Sequence, residues 1–563
     1  MGDIDYQSLQ LQYRPLPPDA PTHHSAVVVG AGPVGMSMAL DLAKHGHRVL
    51  VLDDDNTLSV GSRAICFAKR TLDVWDRLGV GERMVHKGVS WNVGRVFFRE
   101  EEVWNFDLLP EAGHRRPAFI NLQQYYCEGY LYEQCEAEPL IELRWKNRVT
   151  AVQDHEQGPV ALTVETPDGT FRLTTDWLIA CDGARSPMRK MLGQEAHGQI
   201  FRDRFLIADV KLQADFPAER WFWFDPPFHP NQSVLLHSQP DNVWRIDFQL
   251  GWDADPAEEV KPEKVLPRIR ALLGEDIDVQ IEWVSVYTFA CERMDKFRHG
   301  RVFFAGDAAH RVSPFGARGA NSGVQDIDNL TWKLDLVMRG LAPDALLETY
   351  GEEREFAADE NILNSTRSTD FITPKSETSL LFRNAVLNLA KHHDFARRLV
   401  NSGRLSVATF YTESSLNTPD ADEFNAALPV GAVAPDGPVT HDGQTVWWLS
   451  QLGQSFTAVF FCNEQLPDDA LLTQLVNPGS QSIPLRCILV VPPALEGDIK
   501  AGIEYVVDHD AVLAGRYDVR GGACYLIRPD QHIAARWRTP GIDTIRKALQ
   551  QATCTKEVSS CPN

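Results

Sequence analysis

Basic charge is scarce in this sequence of 563 residues, which has 55 Lys and Arg against 77 Asp and Glu and a formal net charge of -22. Nucleic-acid binding needs clustered Lys and Arg, so this balance argues against a nucleic-acid partner. No segment approaches the ~20 consecutive apolar residues of a membrane span, and we therefore predict no membrane partner. The first residues are acidic and polar where a secretory signal would be basic and then apolar, so we predict no export.

Cysteines with metal-like spacing are also missing. The ten cysteines are scattered, without a C-x-x-C motif and without the pairing with His that is typical of a metal site. The sequence therefore predicts a reduced, cytoplasmic chain with no metal site. Its length predicts three or four domains, and its 44% hydrophobic content is typical of a globular protein.

What the sequence does contain is a glycine-rich turn between two apolar runs. Val27–Val29 form the first run, Gly30, Gly32 and Gly35 follow as G-x-G-x-x-G, and the second run ends in Asp53. An acidic residue about 20 positions after such a turn accepts the hydroxyls of an adenosine ribose. We interpret this stretch as a strand, turn, helix and strand that bind a dinucleotide. The alternative is a Gly-rich turn in an ordinary parallel sheet.

Each glycine has a separate task in such a motif. Gly30 allows the tight turn, Gly32 lets the backbone approach a pyrophosphate, and Gly35 lets helix and strand pack closely. The helix that follows offers unpaired N–H groups and the positive end of its dipole to the phosphates.

Two polar residues lie on elements that follow this motif. Arg63 precedes an amphipathic helix predicted over 67–78, and we interpret it as a cofactor or substrate contact, with a surface ion pair as the alternative. Gln124, Glu128 and Leu131 are spaced i, i+4 and i+7, which puts them on one face of a helix. Gln124 is a candidate cofactor ligand, although a core helix with a polar patch would show the same spacing.

Carboxylates end two further predicted strands. Residues 177–181 are an apolar strand that leads into Asp182, and residues 301–305 are another that leads into Gly306 and Asp307. In doubly wound folds ligands bind where parallel strands end, so both acids are candidate cofactor ligands. For Asp182 the alternative is a capped helix start.

A Gly-rich helix start follows the second acid. Gly319 and Asn321 precede a helix predicted over 324–339, whose N–H groups would face an anionic ring edge. A second ligand-facing helix N-terminus implies a long cofactor that reaches across the fold. His310 lies in the intervening turn, where we predict a role in the turn rather than as a catalytic base.

Residues 191–290 change character to aromatic-rich strands separated by turns. We predict a separate antiparallel sheet, with one helix near 261–273, that would form a platform over the dinucleotide domain. Arg245, Asp247 and Gln249 alternate along one strand and share a face. If that face is covered, these residues are candidates for substrate contacts; if it faces water, they have no such role.

In this order the motifs resemble those of the class A flavoprotein monooxygenases, the FAD-dependent aromatic hydroxylases of the p-hydroxybenzoate hydroxylase and phenol hydroxylase kind. Three groups of residues carry the resemblance: Gly30, Gly32 and Gly35; Asp182 and Gly183 with Arg185, Ser186 and Arg189; and Gly306 and Asp307 with His310 and Pro314. The resemblance covers about residues 25–545.

The resemblance implies how FAD would be held. Asp53 would hold the adenosine ribose, Asp182 belongs to a motif linked to both FAD and the nicotinamide donor, and Pro314 would flank the isoalloxazine ring. The other implied ligands of FAD are Arg63, Gln124, Gly306, Asp307, Gly319 and Asn321. NADH or NADPH would reduce the flavin transiently, which suits a chain without a second G-x-G-x-x-G fold.

The sequence departs from the family at three positions. Arg318 stands where members often have Gln, Asp53 where Glu is commoner, and Asp247 in the place of a Tyr that accompanies Arg245 in phenol-hydroxylase-like members. Arg245, Asp247 and Pro314 are our candidate catalytic residues. A carboxylate-bearing substrate is predicted if Arg245 faces the ring.

The C-terminal part resembles the thioredoxin-like domain of the phenol hydroxylase and 3-(3-hydroxyphenyl)propionate hydroxylase group, on residues 428–437 and 517–533. It has no C-x-x-C motif. We therefore predict no thiol redox function and a structural or dimer-contact role, in a homodimer.

The predicted fold class is α/β: a Rossmann-like FAD-binding domain with an inserted antiparallel-sheet substrate domain, as in the p-hydroxybenzoate hydroxylase-like fold, and a C-terminal thioredoxin-like domain. The predicted boundaries are an N-terminal arm over 1–24, the FAD-binding domain over 25–190 and 291–365, the substrate domain over 191–290, a helical segment over 366–425 and the thioredoxin-like domain over 426–563.

The implied activity is an FAD-dependent, NAD(P)H-consuming monooxygenase that hydroxylates a phenolic aromatic compound with O2 through a C4a-hydroperoxyflavin, in aromatic catabolism. One alternative is a flavin-dependent halogenase, because residues 221–226 partly match the W-x-W-x-I-P motif of those enzymes. The other is a dinucleotide-fold protein that binds a partner without catalysis.

Overall fold

The structure, a computed structural model, describes residues 4–153, 158–213, 216–400, 405–476 and 483–555. The chain divides into two compact units. Unit 1 comprises Met1–Pro110, Arg116–Ile327 and Ala358–Val407, and unit 2 comprises Glu111–Arg115, Asp328–Ala357 and Ala408–Asn563.

The described strands are numbered in chain order: β1 His23–Val29, β2 Val49–Leu52, β3 Cys66–Ala68, β4 Val89–Trp91, β5 Val93–Phe98, β6 Glu101–Asp107, β7 Phe119–Asn121, β8 Ile141–Arg144, β9 Arg148–Gln153, β10 Val160–Thr166, β11 Gly169–Ala180, β12 Ala196–Lys211, β13 Arg220–Phe224, β14 Ser233–Ser238, β15 Val243–Leu250, β16 Gln280–Met294, β17 Arg298–His299, β18 Val302–Phe304, β19 His310–Arg311, β20 Pro438–His441, β21 Gln444–Trp447, β22 Phe456–Phe461, β23 Leu485–Val491, β24 Glu504–Val507, β25 Ala523–Ile527 and β26 Ile533–Trp537.

The described helices are numbered in the same way: α1 Pro33–Lys44, α2 Lys69–Arg77, α3 Gly81–Lys87, α4 Gln124–Ala137, α5 Pro187–Met191, α6 Pro256–Glu259, α7 Pro262–Leu273, α8 Gly319–Met338, α9 Ala345–Ile372, α10 Glu377–Ala390, α11 Asp394–Arg397, α12 Asp469–Val476, α13 Val512–Arg516 and α14 Ile542–Ala552.

The first sheet of unit 1 has the strand order β17-β18-β11-β1-β2-β8, with β10 and β9 continuing from β11 by antiparallel pairing. Strand β1 pairs in parallel with β11 on one side and β2 on the other. Its residues Ala26–Val29 are buried, as expected for a strand covered on both faces. The strand, turn, helix and strand predicted from the glycine motif are therefore present as β1, α1 and β2.

The second sheet of unit 1 has the order β19-β16-β12-β15-β14-β13-β5-β6. The prediction of a purely antiparallel sheet confined to 191–290 was wrong in two respects. Strands β5 and β6 come from residues before that range, and β5 pairs with β13 in parallel. Short strands can be recognised in sequence, but the sheet they join depends on long-range pairing, which has no local signal.

Two predicted helices have different bounds in the structure. The helix predicted over 67–78 begins at Lys69, because Phe67 lies in β3 and pairs with Ile120 of β7 in a small sheet of order β3-β7-β4. The segment predicted to be helical over 366–425 contains the end of α9 and the helices α10 and α11. Residues 405–425 are described and contain no helix, although this range belongs to the segment predicted to be helical.

Unit 2 contains the third sheet, of order β21-β20-β24-β23-β22-β25-β26. Strands β22, β23 and β24 are mutually parallel, and β25 and β26 are antiparallel to their neighbours. Trp332 and Leu336 from α8 and Leu346 from α9 belong to the same apolar core as β22 and β23. The indole of Trp332 contacts Phe456 edge-on, with the ring centres 5.4 Å apart.

A network of charged side chains is buried in unit 2. Arg528 forms an ion pair with Asp530. Its Nη1 and Nη2 atoms also donate to the Glu353 carboxylate, at 2.5 and 2.9 Å. Lys333 donates to the same Glu353 carboxylate at 2.7 Å. All four residues are almost completely buried. The network joins α8 and α9 to the C-terminal sheet within this unit.

Two kinds of feature are absent from the described residues. None of the described helices combines the length and apolar content needed to cross a membrane. Within the same ranges, no three His, Cys, Asp or Glu side chains are grouped so that they could hold a metal ion.

Candidate functional site

The glycines of the first motif differ in what surrounds them. Gly30 has φ of +103°, and a Cβ there would lie 2.4 Å from the Cys181 carbonyl oxygen. A Cβ on Gly35 would lie 1.9 Å from the Gly30 carbonyl oxygen. A Cβ on Gly32 would meet no atom within 4 Å. Gly30 and Gly35 are therefore required by packing, whereas Gly32 leaves space in front of the N-terminus of α1.

A cavity of about 240 Å³ lies beside this turn. Its lining includes Gly32 and Asp53 and also Asp182 and Gly183, which follow β11. The structure therefore brings the first two sequence motifs together around one space at the carboxyl ends of parallel strands, where doubly wound folds bind ligands.

Asp53 follows the last residue of β2 and lines this cavity. One oxygen accepts a hydrogen bond from the Ala31 amide at 2.6 Å, and the other accepts one from the Asp55 amide at 2.8 Å. Burial raises the pKa of Asp53 to about 6, although both amide hydrogen bonds act in the opposite direction. Each carboxylate oxygen has a second lone pair that can accept a ribose hydroxyl.

Asp182 both lines the cavity and caps a helix. Its carboxylate accepts hydrogen bonds from the Ser186 hydroxyl at 2.7 Å and from the Met188 amide at 2.9 Å, at the start of α5. Burial raises its pKa. Arg189 then donates to the carbonyl oxygens of Ala308, at 2.9 Å, and Ala184, at 3.1 Å. Arg189 thus holds the second motif against the third.

Asp307 lies at the end of β18, in a 3-10 turn over Gly306–Ala308. Its side chain is reached by solvent, yet the surrounding protein is dense enough that burial raises its pKa. No described residue donates a hydrogen bond to its carboxylate. A Cβ on Gly319 would lie 3.9 Å from Asp307 Oδ1, which places the N-terminus of α8 beside it. A solvent-accessible carboxylate without a protein donor is available to bind hydroxyl groups of a ligand.

His310 supports the 3-10 turn over Gly306–Ala308 through Asp326. Its Nε2 lies 2.7 Å from Asp326 Oδ2, and the same carboxylate oxygen accepts the Gly306 amide at 2.8 Å. The imidazole stacks on Phe297 and is fully buried. This arrangement places His310 in the support of the turn.

Asn321 and Pro314 lie on either side of the start of α8. The Asn321 amide accepts from the Ala68 amide and the Thr71 hydroxyl and donates to the Cys66 and Ala317 carbonyls, all within 2.5 to 2.9 Å. Its side chain therefore has no free donor or acceptor for a cofactor. Pro314, in contrast, is exposed at the start of a 3-10 turn over Pro314–Gly316.

Arg318, which departs from the family motif, is buried beside that turn. A Cβ on Gly316 would lie 1.4 Å from Arg318 Nη1, so the guanidinium packs directly on Gly316. Only 2% of Arg318 is exposed. The positive charge is therefore buried beside the Pro314 turn.

Arg63 and Gln124 meet at one loop. The Arg63 side chain is exposed, and its backbone has φ of +43°. Gln124 accepts the Ala64 amide at 3.1 Å and donates to Glu128 at 2.7 Å, while Glu128 accepts the Ser59 amide at 2.6 Å. Gln124 and Glu128 thus hold the loop 59–64 that carries Arg63.

The second sheet carries a set of polar side chains on one face, which we call the polar cluster: the buried Asp209, Arg220, His237 and Arg245 and the half-buried Asp247. Arg220 Nη2 donates to the Phe315 carbonyl at 3.3 Å, so the cluster lies next to the Pro314 turn. His237 Nε2 lies 3.8 Å from Asp247 Oδ2.

Three buried atoms of the polar cluster make no hydrogen bond to described residues: Arg220 Nη1, His237 Nδ1 and Asp247 Oδ1. A buried polar atom without a partner costs about 1–3 kcal/mol. Native proteins rarely tolerate several such atoms in one place unless a bound group satisfies them. The polar cluster is therefore a second candidate binding region.

Arg245 is held by three hydrogen bonds within the protein. It donates to Asp209 at 3.2 Å, to the Arg63 carbonyl at 2.7 Å and to the Ser62 hydroxyl. The same Ser62 hydroxyl donates to Asp209. Arg245 therefore fastens β15 to the loop 59–64, and each of its three guanidinium nitrogens already donates to a protein acceptor.

The sequence alone identified Arg245 and Asp247 but not Arg220, His237 or Asp209. Arg220 and His237 lie on strands with otherwise apolar sequences, Arg-Trp-Phe-Trp-Phe and Ser-Val-Leu-Leu-His-Ser. A polar residue in a largely apolar strand was the sequence signal from which Arg220 and His237 could have been identified. Only the register shows that it shares a face with Arg245.

Together these residues fit a long flavin dinucleotide. The open space at Gly32, the carboxylate of Asp53 and the unpartnered carboxylate of Asp307 provide room for a pyrophosphate and acceptors for ribose and ribityl hydroxyls. Two helix N-termini, those of α1 and α8, lie along this path.

Comparison with known proteins agrees with this interpretation. Residues 23–365 match the family model described as FAD binding domain. A relative from Rhodococcus jostii (strain RHA1), "Probable NADH-specific resorcinol 4-hydroxylase", is 32% identical over 337 residues, which are 58% of this chain and 62% of the relative. A relative from Mycolicibacterium smegmatis, "3-(3-hydroxy-phenyl)propionate/3-hydroxycinnamic acid hydroxylase", is 26% identical over 95% of this chain and 93% of its own length.

A solved structure shares the fold. The flavin-dependent monooxygenase PieE, crystallised with FAD and substrate, superposes with a TM-score of 0.77 at 21% identity, over 94% of this chain and 100% of that one. The mixed α/β architecture of the chain is therefore that of FAD-dependent hydroxylase structures.

Proposed function

Because the chain belongs to the FAD binding domain family and is an FAD-dependent monooxygenase, we propose that it hydroxylates a phenolic ring. In the overall reaction, one atom of O2 replaces a ring hydrogen as a hydroxyl group and the other leaves as water. NADH or NADPH supplies the two electrons, and solvent supplies one proton. Bound FAD would supply the chemistry that couples NAD(P)H oxidation to O2 activation.

The contact between the polar cluster and the Pro314 turn carries this proposal. Arg220 donates to the carbonyl of Phe315, the residue after Pro314, so polar side chains of the second sheet lie beside the turn proposed to flank the flavin ring. A phenolic ring held by the cluster would therefore lie next to the oxygen-activating group. The protein would orient the ring and exclude water there.

We assign the cofactor contacts as part of the same proposal. Gly32 and the N-terminus of α1 would face the pyrophosphate, Asp53 the adenosine ribose and Asp307 the ribityl chain. Gly30 and Gly35 would shape the turn. Asp182, Gly306 and Gly319 would complete the path, with Pro314 at the ring. Arg63 would reach the cofactor from its exposed position, whereas Gln124 and Asn321 would act by holding backbone segments.

We assign unit 2 a structural role. Its sheet, with β22, β23 and β24 parallel and β25 antiparallel, supports a thioredoxin-like domain over 426–563. We propose that the chain forms a homodimer in the cytoplasm. Light scattering during size-exclusion chromatography should give twice the mass of one chain, and a single-chain mass would contradict the dimer.

The halogenase alternative is not favoured. The residues that suggested it, Trp221–Pro226, begin within β13, whose aromatic side chains pack with the second sheet. The relatives from Rhodococcus jostii and Mycolicibacterium smegmatis are named as hydroxylases, and a relative from Streptomyces rimosus as a monooxygenase.

The test is NAD(P)H oxidation by the purified FAD-loaded protein with a panel of phenols, and mass spectrometry of the products. We expect stimulated oxidation and a product heavier by one oxygen atom. Incorporation of label from 18O2 would distinguish oxygenation from addition of water. If FAD is bound but no phenol yields an oxygenated product, the proposed function is wrong.

A further inference from the structure

The polar cluster forms one row across four neighbouring strands. Arg220 of β13 is paired with His237 of β14, His237 with Arg245 of β15, and Arg245 with Asp209 of β12. Residues paired directly across strands point to the same face of a sheet. Asp247 lies two positions from Arg245 on β15 and therefore also points to this face.

The charges of this row cancel. Arg245 forms an ion pair with Asp209 at 3.2 Å, which leaves Arg220 and Asp247 as the second pair of opposite charges. Burial and the two nearby arginines lower the pKa of His237 well below its usual range, so this imidazole is neutral. The row as a whole carries no net charge at neutral pH.

The row nevertheless contains atoms that can still donate and atoms that can still accept a hydrogen bond. Arg220 Nη1 is a donor, Asp247 Oδ1 is an acceptor, and His237 Nδ1 is one or the other according to its tautomer. A hydroxyl group both donates and accepts, and so it satisfies such a set. A carboxylate only accepts, and it would bring a second negative charge close to Asp247 in a buried place.

We propose, on the basis of the hydroxylase function proposed above, that the polar cluster is the polar end of the substrate site and selects an uncharged phenol over a phenol that carries a carboxylate. Asp247 accepts the phenolic O–H, and Arg220 donates to the same or a neighbouring ring oxygen. Arg245 is a positioning residue, because it acts through Asp209 and the loop 59–64.

This assignment differs from what the sequence alone predicted. A carboxylate-bearing substrate was expected if Arg245 faced the ring. In the structure the Arg245 guanidinium is occupied by Asp209, the Ser62 hydroxyl and the Arg63 carbonyl. The remaining arginine, Arg220, is balanced by Asp247.

The test compares two 3-substituted phenols of similar size, the uncharged 3-hydroxybenzyl alcohol and the anionic 3-hydroxybenzoate, with the FAD-loaded full-length protein. We expect kcat/KM for oxygenated product to be at least 10-fold higher for the alcohol. Resorcinol and 3-(3-hydroxyphenyl)propionate form a second pair with the same expectation. Dissociation constants from the change in flavin absorbance should show the same preference without turnover.

A charge variant tests the role of Asp247 directly. Asp247→Asn leaves Arg220 without a compensating negative charge, so the ratio of kcat/KM for the acid to that for the alcohol should rise at least 10-fold. Asp253→Asn, which removes a carboxylate from an exposed position of the same unit, is the matched control and should leave the ratio unchanged.

The outcomes separate the two proposals. Equal or better use of the acid by the natural protein would overturn the charge-based selection while the hydroxylase function stands. An unchanged ratio in folded, FAD-binding Asp247→Asn would remove Asp247 from the site. Failure of all four rings to yield oxygenated product would overturn the hydroxylase function itself and this inference with it.

Discussion

Gly32 and Gly35 belong to one motif, but a side chain at each position would meet different surroundings. The space around Gly32 is open to 4 Å, and its φ of -77° suits any residue. At Gly35 a methyl group would collide with the Gly30 backbone at 1.9 Å. One glycine therefore serves a ligand, and the other serves the fold.

We expect Gly32→Ala to fold but to bind FAD at least 10-fold more weakly, which corresponds to about 1.4 kcal/mol, because the added methyl group occupies the approach to the helix N-terminus. Gly35→Ala should not give a folded protein. Circular dichroism and thermal unfolding of both variants, with FAD titration followed by quenching of flavin fluorescence, measure the two effects. Undiminished FAD affinity in Gly32→Ala would contradict the assignment.

We expect kcat/KM to fall at acidic pH because Asp247 becomes protonated there. Burial raises its pKa to about 6, opposed by Arg220 and Arg245 and reinforced by Asp209. His237 and Cys66 are the other titratable groups that face it. As an acid with a raised pKa, Asp247 becomes protonated when the pH falls through about 6, and a protonated carboxyl accepts the phenolic O–H less well.

The measurement is kcat/KM for resorcinol from pH 5 to pH 8 in the natural protein and in Asp247→Asn. We expect the rate to fall below about pH 6 in the natural protein and this limb to disappear in the variant. A limb with the same midpoint in both would show that another group titrates there.

At the scale of elements, Arg245 links a strand of the second sheet to a loop next to the first. Its three partners are the carboxylate of Asp209, the hydroxyl of Ser62 and the carbonyl of Arg63. A lysine keeps the charge but cannot donate in three directions with the fixed geometry of a guanidinium.

We therefore expect Arg245→Lys to lower the unfolding temperature and to weaken FAD binding, and to leave the preference between 3-hydroxybenzyl alcohol and 3-hydroxybenzoate within about 3-fold of the natural value. Differential scanning fluorimetry and the substrate pair measure these effects. A selective loss of activity with the acid alone would show that Arg245 contacts the substrate.

The buried charges of unit 2 join helices to a sheet in the same way. Glu353 accepts from Lys333, Asn329, Ser414 and Arg528, and the neighbouring cations hold its pKa far below the usual range. Removing one member of a buried ion pair leaves an uncompensated charge, which costs about 3–5 kcal/mol.

Glu353→Gln should lower the free energy of unfolding of unit 2 by about 3–5 kcal/mol. Glu352→Gln, at the adjacent exposed position, should change this free energy by less than about 1 kcal/mol. Urea denaturation followed by tryptophan fluorescence, with flavin release recorded separately, measures the difference. Equal stability of the two variants would show that the network contributes little.

At the scale of the whole molecule, the described cysteines argue against thiol chemistry. All nine are free thiols, none of them part of a disulfide. In the C-terminal sheet, burial raises the pKa of Cys462 and Cys487 to about 12 and that of Cys524 well above its usual range. A buried thiol with a raised pKa forms little thiolate and reacts slowly.

We expect the native FAD-loaded protein with Cys561→Ser, which removes the cysteine outside the described residues, to react slowly with a disulfide reagent at pH 8. Nine thiols should react at once after unfolding in guanidinium. A thiol that reacts rapidly in the native protein and changes its activity would support a redox role.

The site was partly predictable from sequence because its cofactor side is built from local motifs. Gly30, Gly32 and Asp53 follow one another within a single strand, turn, helix and strand, so their spacing alone indicated a dinucleotide site. Asp182 and Asp307 each follow an apolar strand, and an acid after an apolar run is also recognisable from neighbouring residues alone. The substrate side has no such motif, since Arg220, His237 and Asp247 come from three strands.

By itself, then, the sequence determined the glycine turn, the positions of the strand-ending acids and the absence of a C-x-x-C motif, because each of these depends on neighbours within a few residues. The tertiary structure alone decided that β5 joins the second sheet, that Arg245 is held by Asp209 and the loop 59–64, and that Arg220, His237 and Asp247 share one buried face. These features depend on strand register and on pairing between distant segments. They decide how the buried charges are paired, and through that the class of substrate we propose.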